Sequence, residues 1–214
     1  TADDGFFDGG LRIALRGEYG TSRLDYDLFP GCGVTAFDRL VLRPFFTDAW
    51  ALVSWDPARY RPDDSVGFRD VWMKESLRAM GQPSPAGSFV HLLVNGLYWG
   101  VYNLAERIDG RFCADHFGGR AEDYDVLADF NELKAGTREA WDAVQAMAAA
   151  GLEDAAAYAA FAQQVDLVNL ADYTLLHLFA DCEDWPHHNW YAVRNRVAPD
   201  ARWRFLPWDQ EIML

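Results

Sequence analysis

Asp184 and Asn189 bracket the segment Asp184-Trp185-Pro186-His187-His188-Asn189, and Asp209 and Glu211 follow it after two short apolar runs. Phosphoryl transfer from ATP needs this set of groups. One carboxylate orients the acceptor hydroxyl, while an amide oxygen and a second carboxylate hold Mg²⁺ on the phosphates. The D-x-x-x-x-N spacing gives Asp184 the first role and Asn189 the second. Asp209 then supplies the later metal carboxylate, with Glu211 as a further candidate ligand. Spacing alone is a weak signal, because Asp and Asn serve equally well as turn and capping residues. Asp209 and Glu211 likewise suit solvated charges at a strand end. Position strengthens the functional reading: the acids sit at a helix-to-loop break, and again after a strand, a turn and a second strand.

The elements that must position these groups can be read from the pattern. Asp166 to Ala180 reads as a helix running into the loop, which Pro186 keeps from continuing as helix. Trp190-Tyr191-Ala192-Val193 and Trp203 to Trp208 form a hairpin with an acidic group at each end. Further helices are expected at about 138–149 and 153–164. In the first third, Leu11 to Arg16 alternates as a half-exposed strand does, and Phe37 to Arg43 is a second strand. Asp63-Asp64-Ser65 precedes a helix with Phe68, Val71, Trp72, Leu77 and Met80 on its apolar face, ended by Gly81 and Pro83. Phe89 to Val94, Asn95-Gly96 and Leu97 to Tyr102 spell a β-hairpin with a type I′ turn. Strands followed by helices give an α+β order, with a lobe boundary near Glu106.

Three blocks of this sequence resemble the CotH (spore coat protein H) family of atypical protein kinases. They are Phe68-Arg69-Asp70-Val71-Trp72 with Met80-Gly81; Val94-Asn95-Gly96-Leu97-Tyr98-Trp99-Gly100-Val101-Tyr102-Asn103-Leu104 with Glu106-Arg107; and Asp184 to Asn189 with Trp208-Asp209-Gln210-Glu211. Together with Arg16 to Gly20 and Leu40 to Arg43, they cover almost the whole chain in family order. The resemblance implies a two-lobed protein-kinase-like fold, with a strand-rich N-lobe over about 1–105 and a helical C-lobe over about 106–214. It implies ATP as co-substrate with Mg²⁺ or Mn²⁺, Asp184 as catalytic Asp, Asn189 and Asp209 as metal ligands, and Ser/Thr of a protein as acceptor. The style is that of bacterial members found in large exported proteins, which implies an extracellular or cell-surface setting.

Two departures bear on activity. Kinase-like sites place a Lys on an early strand to hold the α/β phosphates. In the family this Lys precedes the strand matching Leu11 to Leu15, about where Asp8 stands, and the only lysines of this chain are Lys74 and Lys134. Arg12 or Arg16 is the available substitute for nucleotide binding, although Arg for Lys is not a neutral exchange. Second, the chain stops at Leu214, directly after the metal motif, so the C-lobe is expected to be truncated. Glu106 fits either a nucleotide hinge or a turn cap. Glu75 fits either a partner for a phosphate-binding cation or a solvated helix charge.

Composition bounds the alternatives. Half of the residues are hydrophobic, with 9 Trp, 14 Phe and 9 Tyr, which requires a packed interior. A net charge of −14 excludes a broad nucleic-acid surface. No apolar run reaches the roughly 18 residues of a membrane span, and Thr1 to Gly10 lacks the basic start of a signal peptide. Cys32, Cys113 and Cys182 are widely separated, leaving room for one disulfide and a free thiol but giving no zinc spacing. His187 and His188 read as loop-shaping residues, His91 as a structural histidine, and Tyr98, Trp99 and Tyr102 as core or inter-lobe packing. The functions that remain are Ser/Thr phosphotransfer, AMP transfer by the same site, and a catalytically inactive CotH-like binding or surface module.

Overall fold

A computed structural model describes residues 10–45, 47–50 and 62–213, and the position of Asp8 lies outside them. The fold is α+β, and the described residues form antiparallel sheets and five α-helices. The chain divides into two compact units. One comprises residues up to Glu75, Pro85–Arg107 and Gln210–Met213; the other comprises Ser76–Ser84 and Ile108–Asp209.

Unit 1 is built on a four-stranded sheet. Its strands are β1 (Leu11–Ala14), β4 (Arg39–Arg43), β6 (Leu97–Glu106) and β5 (Gly87–Val94), in the order β1-β4-β6-β5. A two-stranded ribbon of β2 (Leu24–Asp25) and β3 (Ala36–Phe37) joins it. The side chains of Phe29, Val34, Phe37, Leu40, Leu42 and Leu104 form its core, with Ile13, Val90, Leu92 and Tyr102 around them. The β5–β6 hairpin has the expected turn: Asn95 and Gly96 both take positive φ, at 52° and 81°, as a type I′ turn demands. Tyr98 and Trp99 differ from expectation. Each is 61% exposed, whereas Tyr102 does pack on the core. A bulge between Leu92 and Leu93 shifts the register near the hairpin tip, which turns these rings outward.

Helix α1 (Arg69–Ala79) follows, and its buried face differs from the expected one. Asp70, Met73, Lys74 and Leu77 are buried, while Phe68 and Met80 are exposed. The i, i+3, i+4, i+7 stripe is present, but half of it is ionic.

Unit 2 holds a second antiparallel sheet, ordered β10-β9-β7-β8, of β7 (Tyr124–Ala128), β8 (Glu132–Ala135), β9 (Trp190–Asn195) and β10 (Arg204–Pro207). Alternation along the strands separates two cores. Val126, Val193 and Leu206 pack with Ile108, Phe112 and Cys113 of the α2 (Gly110–Phe117) region. Leu127, Ala192 and Phe205 pack on the other side with Trp141, Val144, Phe161 and Trp203. That second core draws on α3 (Glu139–Ala150) and α4 (Ala155–Gln164), and α5 (Leu167–Phe179) completes the helical set. Asp109, Asp154 and Asp166 cap α2, α4 and α5 through their carboxylates. Cys32, Cys113 and Cys182 are not joined by a disulfide. Among the described residues no helix is long and apolar enough to cross a membrane.

Candidate functional site

The loop carrying Asp184 and Asn189 is built by the end of α5. Tyr173, Leu176, His177 and Ala180 are buried there, and Asp181, at φ 50°, turns the chain out of the helix. Trp185 then packs back on it, its ring 5.2 Å from that of His177 and 6.2 Å from that of Tyr173. Burial pushes the His177 imidazolium down to about 4, partly opposed by the bond from its Nδ1 to the Tyr173 carbonyl, so this ring is neutral near pH 7. The Trp185–Pro186 peptide is cis. The His188 N–H donates to the Asp184 carbonyl at 2.8 Å, closing a turn that places Asp184 and Asn189 at its two ends. The His188 ring sits 4.5 Å from that of Phe130, with Nδ1 3.7 Å from Asp129.

From Asn189 the chain enters the β9–β10 hairpin, whose register pairs Trp190 with Pro207 and Tyr191 with Leu206. One further bond, from the Trp208 N–H to the Asn189 carbonyl at 3.2 Å, extends this ladder past the strand ends. Asn189 and Asp209 therefore leave the same end of one hairpin. Both adopt left-handed backbone, at φ 66° and φ 58°. Asn and Asp take this conformation more readily than other non-glycine residues, as Asn95 and Asp181 also do, and at the hairpin end it sets the direction in which the chain enters and leaves the two strands. An amide oxygen and a carboxylate carried at one hairpin end are ligand types that a hard cation accepts. Among the described residues no three His, Cys, Asp or Glu side chains gather into a metal cluster of their own.

Unit 1 contains a buried ionic chain that spacing did not reveal. Lys74 Nζ lies 2.5 Å from Asp70 Oδ2, Arg43 bridges Asp70 at 2.8 Å and Glu211 at 3.1 Å, and all four side chains are under 10% exposed. Asp70 Oδ1 also accepts the Gln210 N–H at 3.0 Å, and Glu211 Oε2 accepts both the N–H and the hydroxyl of Thr47. Two cations and two anions alternate, so the set is formally neutral. Burial alone would raise the Asp70 carboxyl; the charges of Arg43 and Lys74, with the Lys74 and Gln210 hydrogen bonds, overcome it and hold the group at about 2. Glu75, weighed as a partner for a basic residue, is exposed, and Asp70, five residues earlier, is the carboxylate that pairs with Arg43 and Lys74. The Asp70/Lys74 i,i+4 spacing was the available clue.

The other expected residues are dispersed over unit 1. Arg12 and Arg16 are exposed, with Arg16 3.4 Å from Glu18. Glu106 is buried at the end of β6, its Oε2 accepting the Ala86 N–H at 2.9 Å. Glu211, expected as a ligand, offers each of its oxygens to a unit 1 donor. A cavity of about 270 Å³ in unit 2, lined by Phe117, Tyr124 and Arg204 among others, includes none of the expected site residues.

The model of one protein family, described as CotH kinase protein, matches residues 61–214, well over half of the chain and all three motif blocks. No curated protein matches the chain.

Proposed function

The chain belongs to the CotH kinase family, and on that premise we propose that it transfers the γ-phosphoryl group of ATP to a Ser or Thr hydroxyl of a protein, with Mg²⁺ or Mn²⁺. The observation that carries this reading is the hairpin end at which Asn189 and Asp209 stand together in left-handed backbone, one tight turn from Asp184. Asn189 and Asp209 would hold the cation, which would supply positive charge against the phosphates. Asp184 orients the acceptor hydroxyl and takes its proton as the oxygen bonds to the γ-phosphorus and the bond to the β,γ-bridging oxygen breaks, releasing ADP. Glu211 acts in this reading as an anchor, since coordination would require it to exchange its bonds to Arg43 and Thr47. Arg12, Arg16 and Glu106 are the nucleotide-side candidates.

A second reading is a nucleotide-binding module without turnover. It is favoured by the fate of the lysines: Lys74 is buried against Asp70, and Lys134 pairs with Glu132 at 2.6 Å. Metal-dependent ATP affinity and autophosphorylation, measured side by side, test both. Asp184→Asn should cut transfer by about 10²–10⁴ with nucleotide affinity nearly intact. Asp209→Asn should weaken metal-dependent binding as well. Equal affinity and activity in all three proteins would remove the assignment. Binding without transfer in the wild type would leave the inactive module. The mass added to the acceptor tells phosphate from AMP.

A further inference from the structure

The β9–β10 hairpin of unit 2 has a second end. Asn189 and Asp209 stand at one; beyond the Val193–Arg204 pair at the other, the loop 196–203 and the last turn of α2 border the cavity of about 270 Å³. Arg194, Arg202 and Arg204 line it with a single acid, Asp200, in a chain where acids outnumber Lys and Arg 33 to 19. Alternation along β9 puts the Arg194 side chain on the face opposite Val193, so Arg202 and Arg204 are the cations on offer. Arg202 is exposed, and among the described residues its side chain has no ion pair. Arg204 lies 5.0 Å over the Phe117 ring and sends Nε to Asp166 at 3.3 Å, which leaves its terminal nitrogens to a ligand. The neutral polar groups are already committed. The Tyr124 hydroxyl donates to the Gly118 carbonyl at 2.7 Å, and Asn195 Oδ1 accepts the N–H groups of Val197 and Ala198 at 3.0 Å. What the cavity offers is therefore guanidinium N–H and the ring surface of Phe117 and Tyr124, whose centroids are 6.4 Å apart.

We propose that this cavity binds a small organic anion, a carboxylate or phosphate carried on a flat apolar body. Arg202 and Arg204 take the anionic group, because the guanidinium fork matches the paired oxygens of both chemistries. The body rests against Phe117 and Tyr124. Size limits it: the cavity is just below the roughly 300 Å³ at which small-molecule sites begin, which suits one ring with one acidic group. Asp200 at the same cavity disfavours a second anionic group. None of these residues has a part in the phosphotransfer reading, so the two stand or fall separately.

Titration of the full chain followed by backbone-amide NMR, without nucleotide or metal, tests the proposal. The probes are phenyl phosphate, benzoate, benzyl alcohol and inorganic phosphate. The expected result is saturable shifts at Phe117, Val193, Asn195 and the loop 198–202 with phenyl phosphate or benzoate. Benzyl alcohol, which lacks the charge, and inorganic phosphate, which lacks the ring, should each bind about tenfold more weakly or worse. Arg202→Gln should weaken the aromatic anion by about tenfold or more. Its site is exposed, so the rest of its spectrum should match the wild type, separating a lost ligand contact from a lost fold. No saturable shift with either aromatic anion up to about 10 mM, a range that covers weak millimolar binding, overturns the proposal. So does equal binding of benzyl alcohol or of inorganic phosphate, an Arg202→Gln affinity equal to that of the wild type, or a set of shifts centred on Asn189 and Asp209 instead.

Discussion

Asp70 would be neutralised by its burial were two cations not beside it, and its position at about 2 measures how far Arg43 and Lys74 outweigh desolvation. Replacing it with Asn leaves Arg43 and Lys74 short of an anion in a dry setting. Breaking a buried pair in this way costs about 3–5 kcal/mol, far more than a surface pair would. Asp70→Asn should lower the urea midpoint accordingly, and a loss below about 1 kcal/mol would show that the chain of charges relaxes without it. His177 supplies the acid limb. Its folded-state value of about 4 lies below the unfolded value of 6.5. Stability from keeping it neutral is therefore complete above pH 6.5 and declines as pH falls toward 4, by on the order of 3 kcal/mol. His177→Phe should flatten the stability profile between pH 6.5 and 4 while leaving the Asp70 loss, from about 3.8 down to 2, in place. A profile unchanged by the substitution would assign that limb to other groups. Neither residue stood out in the sequence, for a shared physical reason. Periodicity reports apolar side chains, whereas Asp70, Lys74 and His177 are polar groups buried because a partner or a backbone carbonyl makes burial tolerable.

At the scale of elements, local chemistry was legible where it is self-sufficient. Asn95-Gly96 named its own turn, since only residues tolerant of positive φ fit both central positions. At Gly96 an added Cβ would meet nothing within 4 Å, so any penalty there comes from backbone conformation alone. Gly96→Val should therefore cost about 1 kcal/mol or more, seen as a lower denaturation midpoint. An unchanged midpoint would mean that the hairpin tolerates another turn. The β9–β10 hairpin, α1, α3, α4 and α5 were likewise readable from capping, apolar period and Pro186. Strand β7 was not, although it is central to the unit 2 sheet. Tyr124-Asp125-Val126-Leu127-Ala128 is buried on both faces, so it shows no alternation, and a run of five apolar and polar residues mixed in this way has no period to detect. The back half consequently read as helical when it carries a sheet with helices on it. For the candidate site, order and spacing single out Asp184, Asn189 and Asp209, and the fold places Asn189 and Asp209 at one hairpin end. The left-handed backbone of Asn189 and Asp209 and the Trp208–Asn189 bond depend on pairing across the hairpin, which no local pattern records.

For the whole molecule, the largest unbalanced quantity is charge: 33 acidic residues face 19 Lys and Arg. Two opposite salt effects compete. Exposed ion pairs such as Arg138–Asp142 and Arg16–Glu18 weaken with salt, but such pairs contribute only about 0–1 kcal/mol each. The Lys74–Asp70–Arg43–Glu211 chain is buried and therefore screened much less. Repulsion among the excess carboxylates acts over the whole surface and has no such shelter. Its range falls from about 30 Å at 0.01 M salt to about 8 Å at 0.15 M. Screening should thus remove more repulsion than attraction. Thermal unfolding of the chain at low concentration and pH 7.5 should shift upward by roughly 2–6 °C between 10 and 150 mM NaCl, the equivalent of about 1–2 kcal/mol for a protein of this size. With two compact units, each resolved transition should move in that direction. A midpoint that stays flat or falls would mean that attractive surface pairs outweigh the net charge, and that the acids are placed near their counter-charges more evenly than composition implies.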